Sequence, residues 1–156
     1  MDNLTSDQRR KNMQAIKASN TKAEVLLAKS LFSKGYRYRK NNKSVFGKPD
    51  LTFTKIKLAV FVDGEFWHGK DWEERKERIK SNRDYWIPKI ERNIKRDNIV
   101  NTELLKEGWV VLRFWAKEVE KNTELCTVLI ENKIKELKTN KKIKPWQKQE
   151  NHSKLH

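Results

Sequence analysis

Residues 57–62 read KLAVFV, and the fold can be built outward from this stretch. A continuous apolar run of this length, following a single lysine, is typical of a central β-strand that is covered on both faces. Residues 50–54 form a short β-prone segment just before it, so the pattern predicts two adjacent strands joined by a tight turn. Gly64 and Gly69 then break the pattern and make residues 63–70 the strand end and a loop.

The segments upstream of this strand pair predict two helices and a further strand. Residues 6–17 form a short helix that Ser6 and Asp7 can cap. Asn20 and Thr21 can cap a second helix, whose apolar residues recur at helical spacing as far as Gly35. Residues 36–39, YRYR, alternate as a strand does.

The segments downstream predict a sheet with helices on its faces. Three elements are expected there: a long helix at residues 84–105, a second buried strand at 109–115 and a closing helix at 118–137. The order α-α-β-β-β-α-β-α predicts an α/β fold with a mixed central β-sheet flanked by helices.

The composition is that of a basic protein with an anionic partner. The 156 residues include 36 Lys and Arg against 21 Asp and Glu, a formal net charge of +15. No apolar run approaches the roughly 18 residues of a membrane helix, and the first twenty residues lack the apolar core of a secretion signal. A single cysteine, Cys126, excludes an intramolecular disulfide and favours a reducing cytoplasm. The charge predicts nucleic-acid binding, with a merely soluble basic protein as the alternative.

Two aspartates flank the predicted strand pair. Asp50 starts the first strand and Asp63 ends the second, so a tight turn between the strands would bring their carboxylates together. Acidic groups at the end of an apolar strand are costly unless a cation, water or a base compensates, and convergent carboxylates suit Mg²⁺. Beside a basic surface, this predicts metal-assisted phosphodiester hydrolysis. The alternative is that both are ordinary strand-end turn residues.

Glu24 and His68 are two further candidates. Glu24 is the only acidic residue between Asp7 and Asp50 and lies at the margin of the apolar stripe of its helix. It could therefore point at the sheet and a metal, or be an ordinary surface residue. His68 follows the carboxylates on a glycine-flanked loop, and its titration near neutrality suits proton transfer. The alternative is an incidental histidine.

Aromatic and basic side chains could contact bases and phosphates. Phe66, Trp67, Trp72 and Trp86 could stack on bases or wedge between them, or they could simply pack the top of the sheet. Side chains at i, i+4, i+7 and i+8 of the long helix share a stripe that could read bases and hold phosphates, or that is merely solvated. These are Lys89, Asn93, Arg96 and Asp97.

Taken together, these segments resemble the very-short-patch-repair (Vsr) DNA mismatch endonucleases of the PD-(D/E)XK nuclease superfamily. The resemblance runs from about Arg10 to about Trp115. Its most specific parts are an FWHG loop and a helix with the pattern W-x-x-K-I-x-x-N-x-x-R-D. The matching segments, in chain order, are RKNMQAI, KAEVLLAKSL, GKPDLTF, VFVDGEFWHG, DYWIPKIERNIKRD and EGWVVLRFW.

The resemblance implies a restriction-endonuclease-like core and an enzyme that nicks DNA 5′ to the thymine of a T·G mismatch. It makes Asp50 the central metal ligand, Glu24 a ligand through water and His68 the catalytic histidine. We expect Mg²⁺ to be held by Asp50 and Asp63, helped by the backbone carbonyl of Val62. The expected DNA contacts are an intercalating wedge of Met13, Phe66, Trp67 and Trp86 and a groove-facing set of Lys89, Asn93 and Arg96.

Two positions depart from the family pattern. Asp63 stands where the family has the histidine of T-H-G-C-F-W-H, so it could bind metal directly or act as a base. Glu65 stands where the family has a cysteine ligand of its structural zinc. Outside the tail only Cys126 and His68 remain as nitrogen or sulfur ligands, too few for a four-ligand site. We therefore expect no structural zinc, with Trp72 packing as a substitute.

The sequence thus predicts a Mg²⁺-dependent DNA endonuclease of mismatch repair. Two alternatives stay open: a restriction-type endonuclease of the same superfamily, and a non-catalytic DNA-binding module. The expected organisation is a DNA-contacting arm at residues 1–20, a nuclease domain at 21–138 and a basic, disordered tail at 139–156. We expect a cytoplasmic, nucleoid-associated monomer that binds double-stranded DNA and no membrane, in the context of mismatch-repair proteins or a DNA methyltransferase.

Overall fold

The structure is a computed structural model of the chain, and it describes residues 21–142. The predicted helix at 6–17 and Met13 lie outside the described residues, as does the tail beyond residue 142. The described residues thus cover the predicted nuclease domain and the first residues after it.

A four-stranded sheet and five helices make up residues 21–142. The helices are α1 (Lys22–Ser33), α2 (Trp72–Arg75), α3 (Arg83–Lys106), α4 (Ala116–Lys121) and α5 (Thr123–Lys142). The strands are β1 (Arg39–Lys40), β2 (Leu51–Phe53), β3 (Leu58–Asp63) and β4 (Val110–Trp115). They pair in the order β1-β2-β3-β4, antiparallel except for the parallel pair β3–β4. This mixed sheet flanked by helices confirms the predicted fold class.

Strand β3 is the centre of the domain, and all six of its residues are buried. Leu58, Val60 and Val62 pack into one core with α1, α4 and α5. Ala59 and Phe61 pack into a second core with α3. The alternation follows from the two-residue period of a strand, and it confirms that the apolar run is covered on both faces.

The connections of β3 bring polar side chains to the end of this strand. β2 and β3 form an antiparallel hairpin in which Leu51 pairs with Val60, so Asp50 reaches the end of β3. A 3₁₀ turn at Thr54–Ile56 joins the two strands, and Lys57 closes it with a left-handed backbone of φ 53°. β4 runs parallel to β3, which requires a crossover. Helix α3 provides it and packs on the sheet face that carries Phe61.

Helix α3, with 24 residues, confirms the long helix predicted between the buried strands. It buries one stripe, with Val100 and Leu104 against the sheet and Ile90 beside Gly69 of the loop after β3, and leaves a charged face outside. This is the pattern of an amphipathic surface helix. No helix among residues 21–142 combines the length and the apolar character that crossing a membrane requires.

Several elements differ from the sequence prediction. The strand expected at 36–39 is reduced to β1. β4 is half-buried rather than buried, because it lies at the edge of the sheet. The helix expected at 118–137 is two helices, since Asn122 leaves the helical conformation at φ −131°. α5 continues to Lys142, into the segment predicted as tail. Helix α2 is not predicted, because four residues are too few to show a periodic pattern.

The placement of α3 can be tested with two adjacent leucines. Leu104 is fully buried, whereas Leu105 is 63% exposed. Leu104→Ala should lower the free energy of unfolding by about 2–5 kcal/mol, and Leu105→Ala should change it by less than about 0.5 kcal/mol. Urea denaturation followed by circular dichroism measures both values. Equal losses from the two substitutions would contradict the assigned face.

Candidate active site

A cleft of about 610 Å³ lies where α1 and α3 meet the ends of β2 and β3. Helix α1 contributes Glu24, the strand pair contributes Asp50 and Asp63, and the loop after β3 contributes His68. All the carboxylates predicted for catalysis therefore meet the predicted histidine in one cleft. Its walls include further predicted site residues, namely Val62, Trp67, Asn93 and Arg96.

Asp50 is held in place by the neighbouring strand. Its Oδ2 accepts a hydrogen bond of 2.6 Å from the backbone N–H of Val62. Burial raises the pKa of Asp50 to about 7; the hydrogen bond from Val62 opposes the rise, and the carboxyl groups of Glu24 and Asp63 add to it. Negative groups are thus brought together where water is scarce, and a bound cation would relieve that arrangement.

Glu24 turns inward from the first turn of α1. The hydroxyl of Thr21 caps this helix by accepting a hydrogen bond of 3.3 Å from the Glu24 N–H. Glu24 is only 8% exposed, and its carboxyl lies close enough to raise the pKa of Asp50. The structure therefore places Glu24 in the cleft and not on the open surface.

Asp63 pairs with an arginine that the sequence analysis did not single out. Nη1 of Arg113, on β4, donates to both carboxylate oxygens of Asp63 at 3.2 and 3.0 Å. The guanidinium lies 4.0 Å from the centroid of the Phe61 ring, and its Nε donates to Asn101 at 2.8 Å. Burial raises the pKa of Asp63, and the charges of His68 and Arg113 oppose this rise.

His68 makes a short hydrogen bond to Asp97, on α3. Its Nδ1 lies 2.6 Å from Oδ2 of Asp97 and 3.7 Å from Oδ1 of Asp63. Burial lowers the pKa of His68, but the hydrogen bond with Asp97 and the two negative charges outweigh burial, so the pKa is raised overall. Because a carboxylate can only accept, Nδ1 carries the proton and Nε2 is the nitrogen left for proton exchange.

From the sequence, Asp97 is expected only on the α3 stripe and has no catalytic part. Its distance of four residues from Asn93 puts the two side chains on one helix face, one turn apart. Both meet the loop that carries His68. That spacing is the signal that could have identified Asp97.

The donors in the cleft fit a hard divalent cation. The oxygens of Glu24, Asp50 and Asp63 are of the type that Mg²⁺ prefers, and the pKa values of Asp50 and Asp63 are both raised. Among residues 21–142, the set of potential ligands whose atoms all lie within 4.8 Å of one another is Asp63, His68 and Asp97. The cleft is therefore chemically suited to a metal.

Aromatic side chains cluster beside the cleft. Phe66, Trp67 and Trp86 contact one another edge to face. The ring centroid of Phe66 lies 5.5 Å from that of Trp67 and 5.3 Å from that of Trp86, and the two Trp centroids are 5.6 Å apart. Tyr85, which is not among the predicted wedge residues, extends the cluster at 4.9 Å from Trp86. Phe66 and Tyr85 are 43% and 54% exposed. The cluster thus presents an apolar face that a binding partner could cover.

The stripe on α3 contacts this cluster as well as the cleft. Nδ2 of Asn93 donates to the backbone carbonyl of Trp67 at 2.9 Å, so the amide anchors the aromatic loop. Nζ of Lys89 lies 5.6 and 5.5 Å from the ring centroids of Trp67 and Tyr85. Arg96 is exposed on the cleft wall. The predicted base-reading face is therefore adjacent to the predicted wedge, and two of its members, Lys89 and Asn93, already have partners within the protein.

Glu65 and Trp72 lie on the far side of the same loop. They line a smaller cleft of about 270 Å³. Glu65 is buried, and its Oε2 accepts a hydrogen bond of 3.0 Å from the backbone N–H of Lys117. At position 65, where the family pattern has a zinc ligand, this chain thus has a carboxylate that accepts a hydrogen bond from a helix amide.

Comparisons with known proteins agree on one family. Residues 1–74 match the family model described as DNA mismatch endonuclease Vsr. The type II nicking enzyme V.NmeDIP of Neisseria meningitidis serogroup C is 57% identical over 136 residues, 87% of this chain and 92% of that protein. The type II nicking enzyme V.HpaIIP of Haemophilus parainfluenzae is 56% identical over 137 residues, which are 87% of this chain and 97% of that protein. The DNA mismatch endonuclease Vsr of Escherichia coli K12 is 30% identical over 129 residues, which are 82% of this chain and 81% of that protein.

The raised pKa of Asp50 predicts that Asp50→Asn stabilises the fold by an amount that depends on pH. The folded-state pKa of about 7 exceeds the ordinary 3.8, so ionisation of Asp50 destabilises the metal-free fold. This penalty is absent below about pH 4, grows between about pH 4 and 7, and is complete above that. Asn cannot ionise, and its oxygen can still accept from Val62. In EDTA, the variant should match the wild type at pH 4 and exceed it by at least about 1 kcal/mol at pH 8.

Thermal unfolding across this pH range measures the difference. If the difference in stability between the two proteins does not grow with pH, the pKa of Asp50 is not raised in the fold.

Proposed function

The chain belongs to the Vsr DNA mismatch endonuclease family and is a DNA endonuclease, and we propose that it uses Mg²⁺ to nick one strand of duplex DNA next to a T·G mismatch. One observation carries the proposal: a single cleft combines buried carboxylates and a histidine–aspartate pair, with an exposed aromatic cluster at its edge. The first two suit phosphodiester hydrolysis. The third suits insertion into a weakened base step.

The aromatic cluster supports a mismatched duplex as the substrate. A mismatched base is more easily unstacked than a paired one, so a wedge enters there at lower cost. Trp67 and Trp86 support Phe66 from behind, because edge-to-face contacts hold the three rings together. The relatives include both nicking enzymes and a mismatch endonuclease, which supports cleavage of one strand.

Asp50 is the central metal ligand in this proposal, together with Asp63 and the carbonyl of Val62, while Glu24 acts through water. Mg²⁺ held there would polarise the phosphoryl oxygens and lower the pKa of a water nucleophile. The protein orients these carboxylates in advance. The Val62 N–H fixes Asp50, and Arg113 fixes Asp63, so less conformational freedom is lost when DNA binds.

His68 is the proton-transfer residue. Asp97 accepts from its Nδ1, fixes the orientation of the ring and favours its protonated form. A raised pKa increases the protonated fraction near neutral pH, which suits donation of a proton from Nε2 to the leaving oxygen. Arg113 lies 3.6 Å from Asp97 as well as bonding to Asp63, so one cation orients both aspartates.

The charge of the chain supports binding to the DNA backbone. A net charge of +15 favours salt-dependent, sequence-independent attraction to phosphates. Arg96 and Lys48 bring part of this charge to the cleft itself. One cleft suffices to cut one strand, so we expect a monomer that acts on DNA alongside a methyltransferase or mismatch-repair proteins.

A panel of labelled duplexes tests the proposed function. Duplexes of one sequence that contain a T·G pair, another mismatch or full pairing are incubated with the protein and Mg²⁺, and the products are resolved on denaturing gels. We expect cleavage of one strand beside the T·G pair and none in EDTA. Asp50→Ala should slow cleavage by at least about 10²-fold, because it removes the central ligand, while the Kd for DNA stays within about threefold.

Two other results would replace the proposal. Cleavage of fully paired duplex at one sequence would identify a restriction-type endonuclease. Salt-sensitive binding without cleavage on any duplex would identify a non-catalytic DNA-binding module.

Asp97→Asn tests the pairing with His68. The substitution keeps the size of the side chain but removes the charge that favours protonated His68. Single-turnover nicking at pH 7 should fall about 10- to 100-fold, with DNA affinity unchanged. Glu91→Gln, an exposed carboxyl on the same helix, is the control and should nick at the wild-type rate. A wild-type rate for Asp97→Asn would exclude a role for the pair.

A further inference from the structure

We infer that Glu65 is a positioning residue, which fastens the loop at residues 64–70 to α4 and thereby sets the place of His68 and the aromatic wedge. The inference rests on the proposed function, since it assigns a task within the same site. The loop carries Phe66, Trp67 and His68 on consecutive residues. Whatever fixes this loop therefore fixes both the wedge and the proton-transfer group.

The side chain of Glu65 has a specific partner. It is only 6% exposed, and its Oε2 accepts a hydrogen bond of 3.0 Å from the Lys117 N–H. Lys117 lies in the first turn of α4, where amides have no acceptor within their own helix. The residue that precedes α4, Trp115, supplies no side-chain cap. Glu65 therefore satisfies an amide that the helix leaves open, and a charged acceptor makes the stronger kind of hydrogen bond.

The loop is closed tightly enough to transmit the position of Glu65 to its neighbours. The Lys70 N–H donates to the Glu65 carbonyl at 2.9 Å, and the His68 N–H donates to the Gly64 carbonyl at 3.1 Å. Gly69 has a left-handed φ of 67°, and a Cβ there would lie 2.4 Å from Ile94 of α3. The backbone of the loop is thus in close contact with α3 and has little room to shift toward it.

The loop is held from two sides. On the α3 side, Asn93 donates to the Trp67 carbonyl and Asp97 bonds to His68. On the other side, Glu65 reaches α4. Removal of the Glu65 contact leaves, on this side, the weaker contact of Lys70 with the Trp115 ring at 6.0 Å. Because a displacement of about 1 Å at a reacting group can cost about 10²-fold in rate, the Glu65 contact matters for catalysis even though Glu65 lines a different cleft from that of the carboxylates.

The test compares Glu65→Ala with Glu65→Gln, whose side-chain oxygen can still accept from Lys117. Glu131→Ala is the matched control. Glu131 is also a carboxylate that joins two segments, because it accepts from Lys34 and Tyr36, but it does not line the catalytic cleft. The readouts are single-turnover nicking of the T·G duplex at saturating protein, hydrogen exchange of the Lys117 amide and the NMR signals of the His68 ring. The chain has three histidines, and two of them lie at positions 152 and 156, so the His68 signals can be assigned.

Glu65→Ala should nick about 10- to 100-fold more slowly, exchange the Lys117 amide at least about tenfold faster and shift or broaden the His68 ring signals. Glu65→Gln should keep the rate within about threefold and the His68 signals in place. Glu131→Ala should resemble the wild type in nicking and in the His68 signals. A positioning role predicts this set of changes, whereas a merely stabilising role predicts rates that follow Tm in all three variants.

The inference is overturned if folded Glu65→Ala keeps the wild-type rate and His68 signals, or if Glu131→Ala loses as much activity at an equal loss of Tm. If Glu65→Ala does not fold, Glu65→Asp replaces it. The shorter side chain should lose the Lys117 contact and show the same changes, and wild-type behaviour overturns the inference. If the wild type cuts no duplex, the proposed function fails, and the amide exchange and His68 signals still decide whether Glu65 positions the loop.

Discussion

Burial of β3 on both faces is the constraint on which the site depends. Two cores cover this strand, so all of its residues are buried, including the last one at the edge of the cleft. Asp63 ends the strand, and the hairpin brings Asp50 beside it. Burial is the largest cause of the raised pKa of both carboxyl groups. Charged groups that a fold places at its own expense in this way are a mark of functional sites.

The carboxylates around the cleft are compensated in different ways. Asp63 has Arg113 across the parallel strand pair, and Asp97 has the ring of His68. Asp50 is bound by a backbone amide and repelled by neighbouring carboxyl groups, and burial brings its pKa to about 7. An amide donor offsets less negative charge than a cation does. The demand for an external cation is therefore greatest at Asp50, which agrees with its proposed place at the centre of metal binding.

The parts of the site that local sequence could predict are those fixed by local geometry. The apolar run and the tight turn favour a position of Asp50 beside Asp63, and the helical stripe allows Glu24 to point inward; the structure brings all three into one cleft. Arg113 was not predictable in this way. Its partner Asp63 lies 50 residues away in the chain, and the pairing depends on the register of β3 with β4, which a 24-residue crossover helix sets. Tyr85 is not predictable either. It is the chain neighbour of Trp86, and adjacent residues of a helix do not normally share a face, so the sequence gives no reason to expect their rings in contact.

In the proposed function, recognition and chemistry are joined because one short loop carries both the aromatic wedge and His68. Trp67 is held through its carbonyl by Asn93, and His68 is held through its ring by Asp97. These two α3 residues are one helical turn apart, a rise of about 6 Å, so the wedge and the histidine share one rigid support. The contact of Glu65 with α4 closes the opposite side. A base step that does not admit the wedge would push on the same backbone that places the imidazole, so poor insertion and poor proton transfer would arise from one displacement.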